Sequence, residues 1–221
     1  MALAINLVEI LSLVATFAAL SISIVYRDKK NLLPIQFYIV ICIIVTLIDL
    51  SYSFFINRQL LPLLFAIQNV QTLLEISLIY YFLYTKLKGK RFRNSLKIFI
   101  SVYFIFCFFI WVYKKNSFFE FAPNLLGIEG LLIIIPCFFL IYEILTGDLR
   151  IDLKSNSNFI VACGILFYFS ISIPIFFCWG SLYYLSPGSD KILTITNQLC
   201  FTILIISFMK AYLCPIPDQQ Q

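Results

Sequence analysis

Seven apolar runs of about twenty residues, joined by short polar links, constrain this chain more than any motif in it. A run of that length matches one helical crossing of a hydrocarbon layer ~30 Å thick, at about 1.5 Å per residue. A barrel of the outer-membrane type needs alternating segments of roughly ten residues, and these runs do not alternate. The composition agrees: 62% of the residues are hydrophobic and only 12% are charged, against about a quarter charged in soluble domains. The expectation is an all-α integral membrane protein, one seven-helix bundle spanning residues 1–221. Its helices are expected over about 3–26, 35–56, 62–83, 98–113, 124–145, 158–179 and 192–212. The first run carries Glu9 and lacks the short core and small-residue cleavage site of a secretory signal, so it reads as a retained helix.

Basic residues set the expected orientation. With the amino terminus outside, the inner side holds Arg27, Lys29, Lys30, Lys86, Lys88, Lys90, Arg91, Arg93, Lys97, Arg150, Lys154 and Lys210, 12 of the 16. The outer side holds Arg58, Lys114, Lys115 and Lys191, the other 4. The positive-inside rule therefore predicts an external amino terminus and a cytoplasmic carboxyl terminus, in the inner (plasma) membrane of a cell. Trp111 and Trp179 then fall at outer helix ends, as interfacial tryptophans do. The net charge of +5 is a topology signal, and no nucleic-acid partner is expected.

Polar side chains inside the runs carry the functional expectation. Gln68, Gln71 and Glu75 are spaced by three and four residues and share one helix face. Thr46, Asp49 and Ser53 share a face of the second helix, and Thr194, Gln198 and Thr202 a face of the seventh. Counted from the outer helix ends, Asp49, Gln71, Asn197 and Gln198 lie roughly 8–14 Å deep, Gln68 and Glu129 are shallower, and Glu75 is about 20 Å deep. With Glu9, these positions make helices one, two, three, five and seven the expected walls of an outward-open polar cavity. Its site residues are Asp49, Gln68, Gln71, Glu75, Glu129, Asn197 and Gln198. Carboxyl groups in hydrocarbon must be neutral, hydrated or faced by a cation, and no Lys, Arg or His lies deep in any run. The competing reading treats these groups as interhelical glue, since polar contacts between membrane helices are common and average only about 0.6 kcal/mol. Glu143, near an inner helix end, is expected to pair with Arg150 or Lys154.

Catalytic constellations are missing. Histidine is absent, which removes the commonest general base and metal ligand. No deep Asp pair at spacing four, no glycine-rich phosphate loop and no mid-helix lysine in the seventh run is present. The expectation is no enzyme, no cofactor and no metal site. The seven cysteines lie in or at the ends of apolar runs without CxxC spacing, and read as small packing residues. Gly127 and Gly130 flank Glu129 and are expected to allow close helix approach.

Leu73-Leu74-Glu75-Ile76-Ser77-Leu78, followed by Tyr80-Tyr81-Phe82, resembles the third helix of small seven-helix membrane proteins of Bacteroidota-type bacteria. These are related to the input regions of some sensor histidine kinases. Gly164 to Ser170 is similar to their sixth helix. Thr194 to Met209 matches in outline, with Asn197-Gln198 where a histidine is expected. The resemblance implies a sensor-like membrane module. The expected function is a receptor-like or accessory sensor that binds a small ligand and signals through a separate protein. The alternatives are a proton- or cation-coupled transporter or channel, and a membrane-perturbing effector acting as an oligomer.

Overall fold

The computed structural model describes residues 2–26, 29, 32–55, 61–113, 117–119, 123–147, 152–185 and 189–215. Arg27, Lys30, Arg58, Lys114, Lys115 and Arg150 lie outside them. Among the described residues the chain forms seven α-helices: α1 (Ala2–Val25), α2 (Leu33–Phe55), α3 (Leu61–Lys86), α4 (Lys90–Tyr113), α5 (Pro123–Thr146), α6 (Ser157–Leu185) and α7 (Ser189–Leu213). Each contains a segment long and apolar enough to cross a membrane. The physical reason is that lipid offers backbone groups no hydrogen bonds, so each crossing satisfies its own amides as a helix.

Two helices run further than hydropathy predicts. α4 begins at Lys90 rather than Ile98, and α6 continues to Leu185 rather than Trp179. Hydropathy reports what sits in hydrocarbon, whereas lysine and arginine are good helix formers in their own right. The basic start of α4 is also held from outside. The guanidinium of Arg93 and the ammonium of Lys97 lie 4.4 and 5.2 Å from the ring centre of Tyr84 on α3. The Glu143 carboxylate accepts hydrogen bonds from the backbone amides of Lys88 and Gly89, at 2.8 and 3.0 Å. Glu143 thus caps the amino terminus of α4, where the helix dipole favours negative charge. This cap, and not an ion pair with Lys154, is the contact its carboxylate makes; Arg150, the other expected partner, lies outside the described residues. The cap leaves no room at Gly89, where an added Cβ would meet Phe92 at 2.8 Å and Glu143 Oε1 at 2.9 Å.

The helices close into a ring. α5, α6, α7 and α1 pack most extensively in succession, α2 bridges α1 to α3, and α3 reaches α5. α4 lies outside against α3 and α5, and its crossing is the least buried of the seven. Small residues set the tightest approaches. An added Cβ at Gly130 would lie 2.6 Å from Ile173, one at Gly127 2.9 Å from Phe177, and one at Gly164 2.7 Å from Ser207. All seven cysteines are free thiols, five of them buried.

The two faces of the bundle are tied by polar contacts. At the face where α7 ends, the Lys29 ammonium donates to the Ala211 carbonyl at 3.3 Å and the Tyr212 carbonyl at 2.7 Å, and also bonds the Cys214 carbonyl. These are among the last carbonyls of the segment, which a helix leaves without internal partners. Burial lowers the Lys29 ammonium from its ordinary value, opposed by neighbouring Cys214. The Tyr212 hydroxyl donates back to the Leu32 carbonyl at 2.8 Å, so the α1–α2 link is fastened to the end of α7. At the opposite face, the Asn69 amide donates to the Phe118 carbonyl at 2.7 Å, fastening the 3₁₀ turn Ser117–Phe119 to α3.

Pro136 lies inside α5. Proline has no N–H, so the carbonyl four residues earlier, that of Leu132, loses its helical donor. The Tyr80 hydroxyl on α3 donates to that carbonyl at 2.9 Å. A backbone defect in one helix is thereby repaired by a side chain of its neighbour. Tyr80→Phe should therefore cost about 0.5–1.5 kcal/mol of stability. In a Pro136→Ala background the same change should cost much less, because an alanine at that position supplies the missing amide. Thermal unfolding of the four proteins of this cycle measures the coupling directly.

Candidate functional site

A cavity of about 230 Å³ lies inside the ring. α2 contributes Tyr38, Cys42, Val45, Thr46 and Asp49, on successive turns along a single face. α3 contributes Gln68, Gln71, Thr72 and Glu75 on the same principle, with Asn69 beside them. α6 adds Tyr168, Phe176 and Trp179, and α7 adds Thr194, Asn197, Gln198 and Phe201. Six of the seven predicted site residues line this space: Asp49, Gln68, Gln71, Glu75, Asn197 and Gln198. Glu129 does not line it. The walls also differ from expectation, since α6 forms one of them. Among the described residues α5 contributes only Leu126 and α1 contributes none, so Glu9 does not border the cavity. The reason is ring closure: α1 packs on α7 and α2 with Ser12, Thr16 and Ser23 buried, which leaves Glu9 within electrostatic reach of Asp49 but off the lining, while α6 packs between α5 and α7.

Glu75 stands at the deep end of this lining. Its Oε1 accepts a hydrogen bond from the Tyr38 hydroxyl at 2.8 Å. Tyr38 is itself only 2% exposed and packs edge-on against Phe208, with ring centres 5.7 Å apart. Helical spacing points to Gln71, one turn away, as the partner of Glu75, and gives no sign of Tyr38. A tyrosine in an apolar run passes as bulk, although its hydroxyl is a hydrogen-bond donor.

The remaining polar groups are largely bound to protein. Gln68 Nε2 reaches Asp49 Oδ1 at 3.5 Å, the outer limit for such a bond. Buried Ser172 donates its hydroxyl to Asn197 Oδ1 at 2.8 Å, joining α6 to α7. Thr46, Thr72 and Thr202 return their hydroxyls to the carbonyls of Cys42, Gln68 and Gln198, four residues earlier. Of the two predicted hydroxyl faces, Thr46 and Thr194 reach the cavity, Thr202 is buried beside it, and the side chain of Ser53 lies outside the described residues.

Beyond Tyr38, Glu75 and Tyr168 the ring is filled with apolar side chains. Ile35, Ile79, Leu83, Ile165, Leu204 and Phe208 are each 0% exposed. The polar space therefore ends on a solid hydrocarbon layer. Glu129 sits apart from it on α5, 1% exposed, and its Oε1 has no hydrogen-bond partner among the described residues. It lies within electrostatic reach of Glu75 and of Tyr103 on α4.

Replacing Tyr38 with Phe removes the donor to Glu75 and should lower stability by roughly 0.6–1.7 kcal/mol, the range of interhelical hydrogen bonds in lipid. Glu75→Gln keeps the shape and an oxygen for Tyr38 and should cost less than Glu75→Leu, which strands the Tyr38 hydroxyl. Thermal melts of the three variants in one detergent give the order. No family model matches the chain, and no curated protein and no solved structure matches it either.

Proposed function

We propose that this chain is a sensor-type membrane protein that binds a small ligand carrying positive charge. The observation that carries this reading is the cavity itself. It is lined by two carboxyl groups and five amides, no basic side chain among the described residues lines it, and an apolar layer seals it beyond Glu75. At about 230 Å³ it falls below the roughly 300–1,000 Å³ of drug-sized sites, which suits an ammonium head group or a molecule of amino-acid size. Asp49 and Glu75 supply charge, and the amides supply orientation. With the amino terminus outside, as the basic residues favour, the cavity belongs to the outer half of a plasma membrane. The ligand then comes from outside the cell.

The output passes to a separate protein. α3 carries both Glu75 and, two and a half turns later, Tyr84, which holds the basic start of α4. A ligand that shifts α3 at Glu75 also shifts the surface formed by Lys88, Lys90, Arg91 and Lys97. That surface is the natural contact for an acidic partner or for anionic lipid heads. The resemblance of α3 and α6 to sensor input helices points the same way.

A proton- or cation-coupled transporter is the second reading, and Glu129 favours it. A buried carboxyl with an unpartnered oxygen, one helix away from Glu75, offers a second station for a proton. Glu75→Gln separates the two. In a sensor it should weaken stabilisation by small ammonium ions at least tenfold, and neither wild type nor variant should support flux in liposomes. In a transporter, proton-coupled flux should be present in wild type and lost in the variant. Unchanged binding together with absent flux would leave Glu75 as a structural carboxyl.

Topology has its own check. A reporter fused after Gln221 should be cytoplasmic and one inserted near Ser186, which lies outside the described residues, should be external. The same side for both would overturn the proposed orientation.

A further inference from the structure

A second cavity adjoins the first. It is an apolar groove of about 340 Å³ on the outward flank of α2 and α3, lined by Ile41, Ile44, Ile67, Val70, Leu74 and Phe118. Val45 and Gln71 line both spaces, so the groove and the polar cavity are separated by these two side chains. α2 and α3 also pack against each other less extensively than α5 and α6 or α6 and α7 do.

We propose that the ligand is a cationic amphiphile whose ammonium head lies against Glu75 and whose alkyl chain passes between α2 and α3, at Val45 and Gln71, into the apolar groove. The proposal rests on the reading of the cavity as a cation site. Three observations favour this occupant. The polar cavity has room for a head group and none for a long chain. The groove has room for a chain and presents it with almost nothing polar. The junction lies deep: Gln71 is ten residues into α3, roughly 15 Å along its axis, near the middle of a hydrocarbon layer about 30 Å thick. Bulk lipid keeps its head groups at the interface and reaches this depth only with its chain ends, so a polar head at the junction has to be one held inside the protein. The carboxyl at Glu75 selects for a positive head, because an anionic one would meet like charge there and a neutral one would forgo the charge-assisted bond.

Photolabelling of the full chain in lipid nanodiscs tests this. The probe is dodecylammonium with a diazirine at the chain terminus, and adducts are mapped by mass spectrometry. The lipid-facing side of α4, with Ile98, Val102, Ile105 and Phe109, reports non-specific contact. Labelling of the groove residues should saturate and exceed that of α4. It should fall to the α4 level with excess butylammonium, and likewise in Glu75→Gln. The matching dodecanol probe should label both faces alike. In parallel, butylammonium should shift the emission of Trp179, read in a Trp111→Phe background. If butylammonium shifts Trp179 but the groove is labelled no more than α4, the cation site stands and the amphiphile is overturned. If butylammonium has no effect either, both readings fall. Because competition by butylammonium is read on the wild-type chain, the result does not depend on how Glu75→Gln folds.

Discussion

Every backbone polar group within the hydrocarbon-spanning part of this chain must find its partner inside the protein, and the rest of the structure follows from that demand. Helices meet it for the backbone. Where a helix fails to, a neighbour supplies the missing group. Tyr80 repairs the carbonyl that Pro136 strands on α5. Lys29 collects the carbonyls at the end of α7, and Glu143 gathers the amides ahead of α4. The first two contacts join parts of the bundle that are not neighbours in sequence, α3 with α5 and the α1–α2 link with α7, so satisfying the backbone also sets which helices meet.

The same demand explains the cavity. Lipid gives two apolar helices no hydrophobic reason to associate, so their approach depends on packing and on shared polar groups. Glycines at 127, 130 and 164 let α5, α6 and α7 pack closely, and Ser172 with Asn197 adds a bond between the last two. α2 and α3 carry both carboxyls and three of the five amides of the cavity, and they pack less extensively. The bundle is thus dense on one side and polar and more open on the other. The polar space stops where isoleucine, leucine and phenylalanine fill the ring.

Glu75 and Glu129 show how one residue type takes two environments. Glu75 borders the cavity and is held by Tyr38, and Glu129 is enclosed between helices with an oxygen unpartnered among the described residues. Both lie within apolar runs, Glu75 at the end of a stripe of amides and Glu129 between Gly127 and Gly130. Their surroundings differ because α3 turns its polar face into the ring while α5 turns Glu129 away from the lined space.

The sequence by itself determined the number of crossings and the approximate bounds of each, because hydrocarbon thickness and backbone satisfaction leave a twenty-residue apolar run one solution. It also determined that Gln68, Gln71 and Glu75 share one face, since helical periodicity requires it. Only the tertiary structure decided which faces meet. It brought α6 into the cavity wall in place of α1 and most of α5, left Glu129 outside, and set Tyr38 rather than Gln71 on Glu75. It carried α4 back to Lys90 through a cap supplied from α5, a contact between residues more than fifty positions apart. Periodicity orders side chains about one helix axis and is silent on the rotation of that helix in the bundle. That rotation is settled by close packing at glycines, by hydrogen bonds between helices and by the closure of the ring.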